Sequence, residues 1–434
     1  MRIRANHHWT AAVFVVLLAT LVVVPIVATS APKDEALFVS TATRAGRLAV
    51  FDDVWETIEE RYYDPRFGGL NWEASRVVFR PAAAEAKTSH DFYELLRRMI
   101  APLNDAHTRV FSPEEKFDWW SPRFVTVRIS VREVEGLPTV VYVEPNSAAE
   151  KAGLRAGDVV MNVDRTSAGE YIRRRMQDGS ESPTARVKAV RSMLDGAAGT
   201  SVELSWKSGK GRLKSAVLSR YWSQRTLGFR FRRDHDILVI GLDAFTQTIA
   251  SEFLGQLPRA IDNAQGIVLD LRGNGGGDAE AMANVASAFL DIGVNLGKFA
   301  DRSGASFELV TTPRFSQLSR STPLVAKLPI VVLTNETTSS AAEILASTLQ
   351  HRRRAWVIGG PTCGCVLAIR NRHTLPDGGV LDVSEFDYRT AEGVRLEGLG
   401  VTPNEATTAR RADFYEKRDI VLERAKRYLA SANN

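Results

Sequence analysis

The chain has 434 residues, enough for two or three domains and a sizeable core. Hydrophobic residues make up 44% and charged residues 25%, which argues against a wholly disordered or coiled-coil protein. The formal net charge is +5 with no basic block, which leaves no footprint for nucleic-acid binding.

Residues 1–31 read as a targeting segment. Arg2, Arg4, His7 and His8 precede an apolar run from Ala11 to Ala28, and Thr29-Ser30-Ala31 follow it. The run suits either a cleaved export signal or one uncleaved membrane anchor. Both readings place the rest of the chain outside the cytoplasm, in the periplasm or cell envelope.

Residues 36–120 predict a helical domain, because Leu48, Phe51, Val54, Trp55, Ile58 and Tyr62 recur at helical spacing, as do Phe92, Leu95, Leu96 and Met99. Residues 123–222 change to short β-rich runs, 124–129 and 138–143 among them, bounded by turn residues. The stretch Glu144-Pro145-Asn146-Ser147-Ala148-Ala149-Glu150-Lys151-Ala152-Gly153-Leu154-Arg155-Ala156-Gly157-Asp158 has a short helix ending on Gly153 and a Gly-Asp turn into a strand. This module resembles a PDZ domain, which implies capture of a C-terminal carboxylate and addition of the peptide as an extra strand. Residues 226–410 alternate buried strands (237–240, 266–271, 328–333) with helical patterns (250–264, 278–291, 340–351), which argues for an α/β layer. Residues 411–434 read as a closing helix. The expected fold class is therefore α/β and β multidomain.

Only two cysteines occur, Cys363 and Cys365, and a C-x-C pair closes too small a ring for a relaxed disulfide. No zinc-ligand spacing is present, and the five histidines after residue 31 include no H-E-x-x-H. Neither a metal nor an organic cofactor is expected.

Two strand ends carry the chemistry. At the first, Asp270-Leu271-Arg272-Gly273-Asn274-Gly275-Gly276-Gly277 lets backbone N–H groups approach a ligand, although it lacks the pattern of a phosphate loop. Asp270 and Arg272 read as a structural pair. At the second, Ser339 and Ser340 fall where a strand gives way to a helix, in Asn335-Glu336-Thr337-Thr338-Ser339-Ser340-Ala341-Ala342-Glu343-Ile344. A hydroxyl there meets unpaired N–H groups, which suits either an acyl-transfer nucleophile or a plain N-cap. No G-x-S-x-G elbow surrounds it, which disfavours a lipid or ester hydrolase.

The order of helical segment, PDZ-like module, D-L-R-G-N-G-G-G and N-E-T-T-S-S-A-A-E-I resembles the C-terminal processing (tail-specific) serine peptidases. Gln350, Arg354-Ala355, Gly359-Gly360-Pro361-Thr362 and Glu397-Gly398-Leu399-Gly400-Val401-Thr402-Pro403 extend the match over most of 45–405. The resemblance implies an α/β (ClpP/crotonase-like) peptidase core at 226–410. It also implies a nucleophile three residues before Glu343, which is Ser340, with Ser339 as the neighbouring alternative. The family's usual lysine base is replaced by Cys365, and the glutamine usually four residues later by Ile369, so the Ser/Lys dyad is absent.

Asp105-Ala106-His107-Thr108 resembles the D-x-H-T segment of the lysine-lacking, tricorn-like branch, which implies His107 as base with Glu397 in support. Three alternatives stay open: His107 only bonding its own loop, His373 as the base, and Glu397 only accepting turn N–H groups. Cys365 is a remote candidate for a second nucleophile. N–H groups of Gly276 or Gly277 and of Ala341 would complete an oxyanion hole. The expected activity is hydrolysis of peptide bonds in unfolded or tail-exposed proteins. A catalytically inactive, PDZ-based peptide-binding adaptor in the cell envelope is the alternative.

Overall fold

The computed structural model describes residues 38–115, 123–177, 183–312, 325 and 327–432. The targeting segment 1–31 lies outside them. Among the described residues no helix is long and apolar enough to cross a membrane.

Three helices open the described chain, Arg44–Arg61, Trp72–Ala84 and Ser89–Ile100, each started by a side-chain cap from Thr43, Asn71 and Thr88. The helical spacing turns Val50, Phe51, Val54, Ile58, Phe92 and Leu96 inward, all fully buried. Leu375, Leu381 and Val383, from far along the chain, complete the same cluster. The reading of 36–120 as wholly helical needs one correction. Arg109–Phe111 forms a strand that pairs antiparallel with Val380–Asp382, Val110 facing Leu381. Only Val110 of the three is buried, a period of two that favours a strand over another helical turn. That pairing brings the Asp105–Thr108 turn against the C-terminal half.

A β-rich module follows. Its sheet runs in the order Ile129–Val134, Leu137–Val143, Val159–Val163, Ser201–Lys207, Leu213–Ser219, closed over Val140, Val202, Leu204 and Trp206. The predicted strand 124–129 is broken at Arg128, whose φ of 64° turns the chain between two sheets. Its first part, Arg123–Thr126, pairs instead with Tyr221–Gln224.

The last part is an α/β layer. Its six-stranded sheet has the order Phe229–Asp234, Ile237–Leu242, Gly266–Asp270, Ile330–Thr334, Trp356–Gly359, Glu405–Ala406, parallel from the second strand onward. Burial on both faces explains why these strands read as continuous apolar runs. Helices Gln247–Ala260, Ala279–Ala286 and Ala341–His351 cover one face. Helix Ile420–Ala432 covers the other through Val421, Ala425 and Leu429. The single closing helix expected over 411–434 is broken. Arg411–Tyr415 forms a short first helix, and Lys417 at φ 54° turns the chain before the second. The break lets Tyr415 dock on the β-rich module, where its hydroxyl donates to Asp158 Oδ1 at 2.8 Å.

Candidate active site

The carboxyl ends of strands Gly266–Asp270 and Ile330–Thr334, adjacent and parallel, bring the glycine-rich loop against the serine turn. Ser340 stands at the head of helix Ala341–His351 with φ 56° and ψ −127°. A β-carbon rarely tolerates that conformation, which costs on the order of 1–3 kcal/mol and persists only where neighbours enforce it. The neighbours here are specific. Ser340 N–H donates to Cys365 O at 2.8 Å and to Glu343 Oε2 at 3.0 Å. Ser339 N–H donates to Asn274 O at 3.0 Å, and the buried Thr338 hydroxyl donates to Leu271 O at 2.9 Å.

Gly276 lies against this turn. A β-carbon added there would sit 2.6 Å from Ser340 Cβ and 3.0 Å from Ala341 N. The empty side-chain space of Gly276 is thus where an atom bonded to Ser340 Oγ could meet the first N–H of the helix. The expectation for Gly276 as an N–H donor is corrected, however. Its N–H is already given to Asn274 Oδ1 at 2.8 Å, and Asn274, fully buried, is fixed in turn by Leu242 O. Gly277 and Ala341 are left as the candidate donors. Gly277, at φ 131°, passes so close to Phe245 that an added β-carbon would lie 2.2 Å from its carbonyl oxygen. Asp270 and Arg272 are a structural pair as read, with Arg272 also bound to Asp419.

Glu343 was only a counting landmark in the sequence, yet it organises the site. It is fully buried and accepts from Ser340 N–H, Gly364 N–H, Cys365 N–H and the Thr362 hydroxyl. Burial pushes its carboxyl above the usual range, with those four bonds opposing the rise. The S-x-x-E spacing of Ser340 and Glu343 was the available signal. The loop it holds contains the two cysteines. Against expectation they are joined, Cys363 to Cys365, with Cα atoms 5.2 Å apart. Gly364 between them has φ 69°, a conformation a side chain would resist, and this lets the backbone fold back on itself. Cys365 contributes main-chain groups to the serine turn and has no free thiol.

Glu397 follows on the same loop. Its Oε2 accepts from Val366 N–H at 2.6 Å and Leu367 N–H at 3.0 Å. Burial drives its carboxyl up to about 7, against the two N–H bonds, and the charges of Asp105 and Glu343 add to the rise. Asp105 therefore neighbours Glu397, and Tyr62 faces both; burial first, then Asp105, holds its phenol protonated. Asp105 Oδ1 accepts the main-chain N–H groups of His107 at 2.8 Å and Thr108 at 2.6 Å, and the Ser384 hydroxyl at 2.8 Å. The His107 imidazole is held down at about 4, chiefly by burial and then by Arg109, with Asp105 opposing. Its Nδ1 is buried and has no hydrogen-bond partner among the described residues. His373, the alternative base, has its Nε2 2.7 Å from Asp53 Oδ2 in the first helix. Among the described residues no group of three His, Cys, Asp or Glu side chains is placed to hold a metal ion.

Comparison with known proteins places two stretches of the chain in described families. Residues 236–407 match Peptidase family S41, and residues 43–101 match the Tricorn protease C1 domain. Carboxyl-terminal-processing peptidase 2, chloroplastic, of Arabidopsis thaliana is 28% identical over 377 residues, covering 82% of this chain and 68% of the relative. A carboxyl-terminal-processing protease of Picosynechococcus sp. is 28% identical over 373 residues, covering 81% of each. Among solved structures, the photosystem II D1 C-terminal processing protease shares the fold with a TM-score of 0.53 at 24% identity, over 83% of this chain and 93% of that one. Mature CPAF complexed with lactacystin shares it with a TM-score of 0.65 at 14% identity, over 90% and 97%. Residues 236–407 thus carry a Peptidase family S41 domain, with a Tricorn protease C1-type segment at 43–101 ahead of the β-rich module.

Proposed function

We propose that the chain is an exported serine endopeptidase that cuts unfolded or tail-exposed proteins, with Ser340 as nucleophile, His107 as general base and Glu397 in support. The observation that carries this reading is the strained Ser340 backbone at a helix start, packed on the side-chain space left empty by Gly276. A plain N-cap needs neither the strain nor the empty space. Ser340 rather than Ser339 has both.

In the proposed reaction Ser340 Oγ attacks the scissile carbonyl carbon and His107 takes the hydroxyl proton. The carbonyl oxygen, now negative, is held by the N–H groups of Ala341 and Gly277, at the positive end of helix Ala341–His351. Collapse breaks the C–N bond, the proton passes from His107 to the leaving amine, and an acyl-Ser340 ester remains. Water, deprotonated by His107, hydrolyses that ester and restores Ser340. His107 is suited to begin neutral because burial disfavours its charged form. Glu397, when ionised, favours the imidazolium formed in each step. The β-rich module, PDZ-like in this reading, holds the substrate's C-terminal tail as an added strand.

The test uses the full chain, an unstructured protein as substrate and a fluorophosphonate probe mapped by peptide mass. Cleavage and labelling at Ser340, both abolished in Ser340→Ala and cleavage lost in His107→Ala, are expected. A wild-type protein that binds C-terminal peptides but neither cleaves nor labels would overturn the catalytic reading in favour of an adaptor.

A further inference from the structure

One charged contact between the β-rich module and the candidate site is left unused by this mechanism. Lys188, on helix Pro183–Arg191 of the module, donates Nζ to the main-chain oxygen of Asp105 at 3.1 Å. Asp105 is the residue whose carboxylate fixes the main-chain N–H groups of His107 and Thr108 and is itself pinned by Ser384. The turn that presents His107 is thus fastened twice, to the peptidase core through Ser384 and to the module through Lys188. The position of Lys188 is set by the module, since its neighbours Ala189 and Val190 lie in the module's buried core.

We propose that Lys188 is a positioning residue for the His107 base, aligning the Asp105–Thr108 turn for Ser340 only while the module is docked. This rests on the Ser/His reading above. The family's lysine position holds Cys365, and the lysine here arrives from a different element. Bonded to Asp105 O, it acts through the turn rather than as a base.

The electrostatics agree in sign. Lys188 is exposed, yet desolvation holds its ammonium below the usual lysine range, with Asp105 and Glu397 opposing. Its charge disfavours protonation of His107 and favours ionisation of Glu397. His107 is faced by Asp105, Arg109 and Lys188. Glu397 is faced by Lys188, Asp105, Glu343, Tyr62, Tyr63 and Arg395. Removing Lys188 therefore moves the acid limb of activity upward through both groups, whichever of them sets it.

The experiment compares wild type, Lys188→Met and Lys188→Arg as full chains. It reads kcat and KM on an unstructured substrate, and the rate of fluorophosphonate labelling of Ser340 against pH. Small displacements of a catalytic group cost up to ~100-fold, so Lys188→Met is expected to lower kcat and labelling about 10-fold or more with little change in KM. Its acid limb should rise by about 0.5–1 pH unit, and Lys188→Arg should restore most of both. A folded Lys188→Met with unchanged rate and unchanged limb would overturn the proposal, as would equal losses in Met and Arg variants with no shift of the limb. Failure of the Ser/His reading itself shows separately, as wild-type Ser340 that never labels or His107→Ala that still cleaves.

Discussion

Arg132 grips Glu336 side-on, with Arg132 Nη2 donating to Glu336 Oε2 at 2.7 Å and its Nε paired with Oε1. Arg132 belongs to the β-rich module, in strand Ile129–Val134, and Glu336 stands four residues before Ser340. The module and the Ser340 turn are therefore coupled by a two-pronged ion pair. Each side chain is about one-third exposed, so the pair adds only about 0.5–1 kcal/mol to stability. Its larger effect should be on catalysis. Arg132→Gln and Glu336→Gln are each expected to lower kcat/KM roughly 3- to 10-fold, with the double variant no worse than either alone. Strictly additive losses in that double-mutant cycle would mean that the two residues act independently.

Gly276→Ala tests the empty space beside Ser340. The new methyl would lie 2.6 Å from Ser340 Cβ, at a residue whose φ is +90°. Adjustment there must displace Ser340 or the Ala341 N–H, because the Glu343 and Asn274 bonds hold the backbone on both sides. Turnover is expected to fall about 100-fold or more, on the scale of losing an oxyanion donor. Stability should fall by only about 1–2 kcal/mol. Circular-dichroism melting alongside kcat separates the two. A variant that melts far lower but turns over normally while folded would remove Gly276 from the site.

The cysteine pair gives the opposite kind of prediction. What Cys365 supplies to the serine turn is its carbonyl oxygen, for Ser340 N–H, and its own N–H, for Glu343. Serine at both positions keeps those main-chain groups. Cys363→Ser/Cys365→Ser is therefore expected to retain activity within about 5-fold, because Glu343 still fixes the loop through its three bonds from Thr362, Gly364 and Cys365. Loss beyond about 100-fold, with Ser340 labelling gone, would give the sulfur atoms a part in the chemistry.

Much of this was legible in the residues because it is local. Strand periodicity, the glycine run after Asp270 and the Ser-x-x-Glu start of a helix each lie within a short window, and the structure places all three at neighbouring strand ends. What was not legible depends on pairing across the chain. The strand Arg109–Phe111 is too short to declare itself, and only its pairing with Val380–Asp382 carries His107 toward the core. The D-x-H-T resemblance singles out His107 in the sequence, but that His373 pairs with the Asp53 carboxylate of the first helix emerges only from the fold. The Asn274 bond that removes Gly276 as a donor depends on a loop conformation that three consecutive glycines leave open. Lys188 carried no signal, being one basic residue on a helix with several.

The pH dependence follows from the burial of Glu397. Its carboxyl, raised to about 7, is neutral below that pH and, in the proposed mechanism, would then no longer support His107. His107, held at about 4, is already neutral throughout that range and does not set the limb. Activity should therefore fall as pH drops through about 7, a higher limb than an ordinary carboxylate would give. Glu397→Gln should remove that limb and lower the rate at pH 8 by about 10- to 100-fold, leaving a weaker inflection nearer His107. The stability consequence runs the other way. A carboxyl raised above its unfolded value of 4.5 holds its proton more firmly in the native state. It therefore favours the fold fully below pH 4.5, and that contribution is lost as pH rises through about 7. Wild type should lose stability relative to Glu397→Gln across this window while gaining activity. Paired melting and rate profiles check this: parallel curves for the two proteins would mean that Glu397 is ionised well below pH 7 and that burial does not control it.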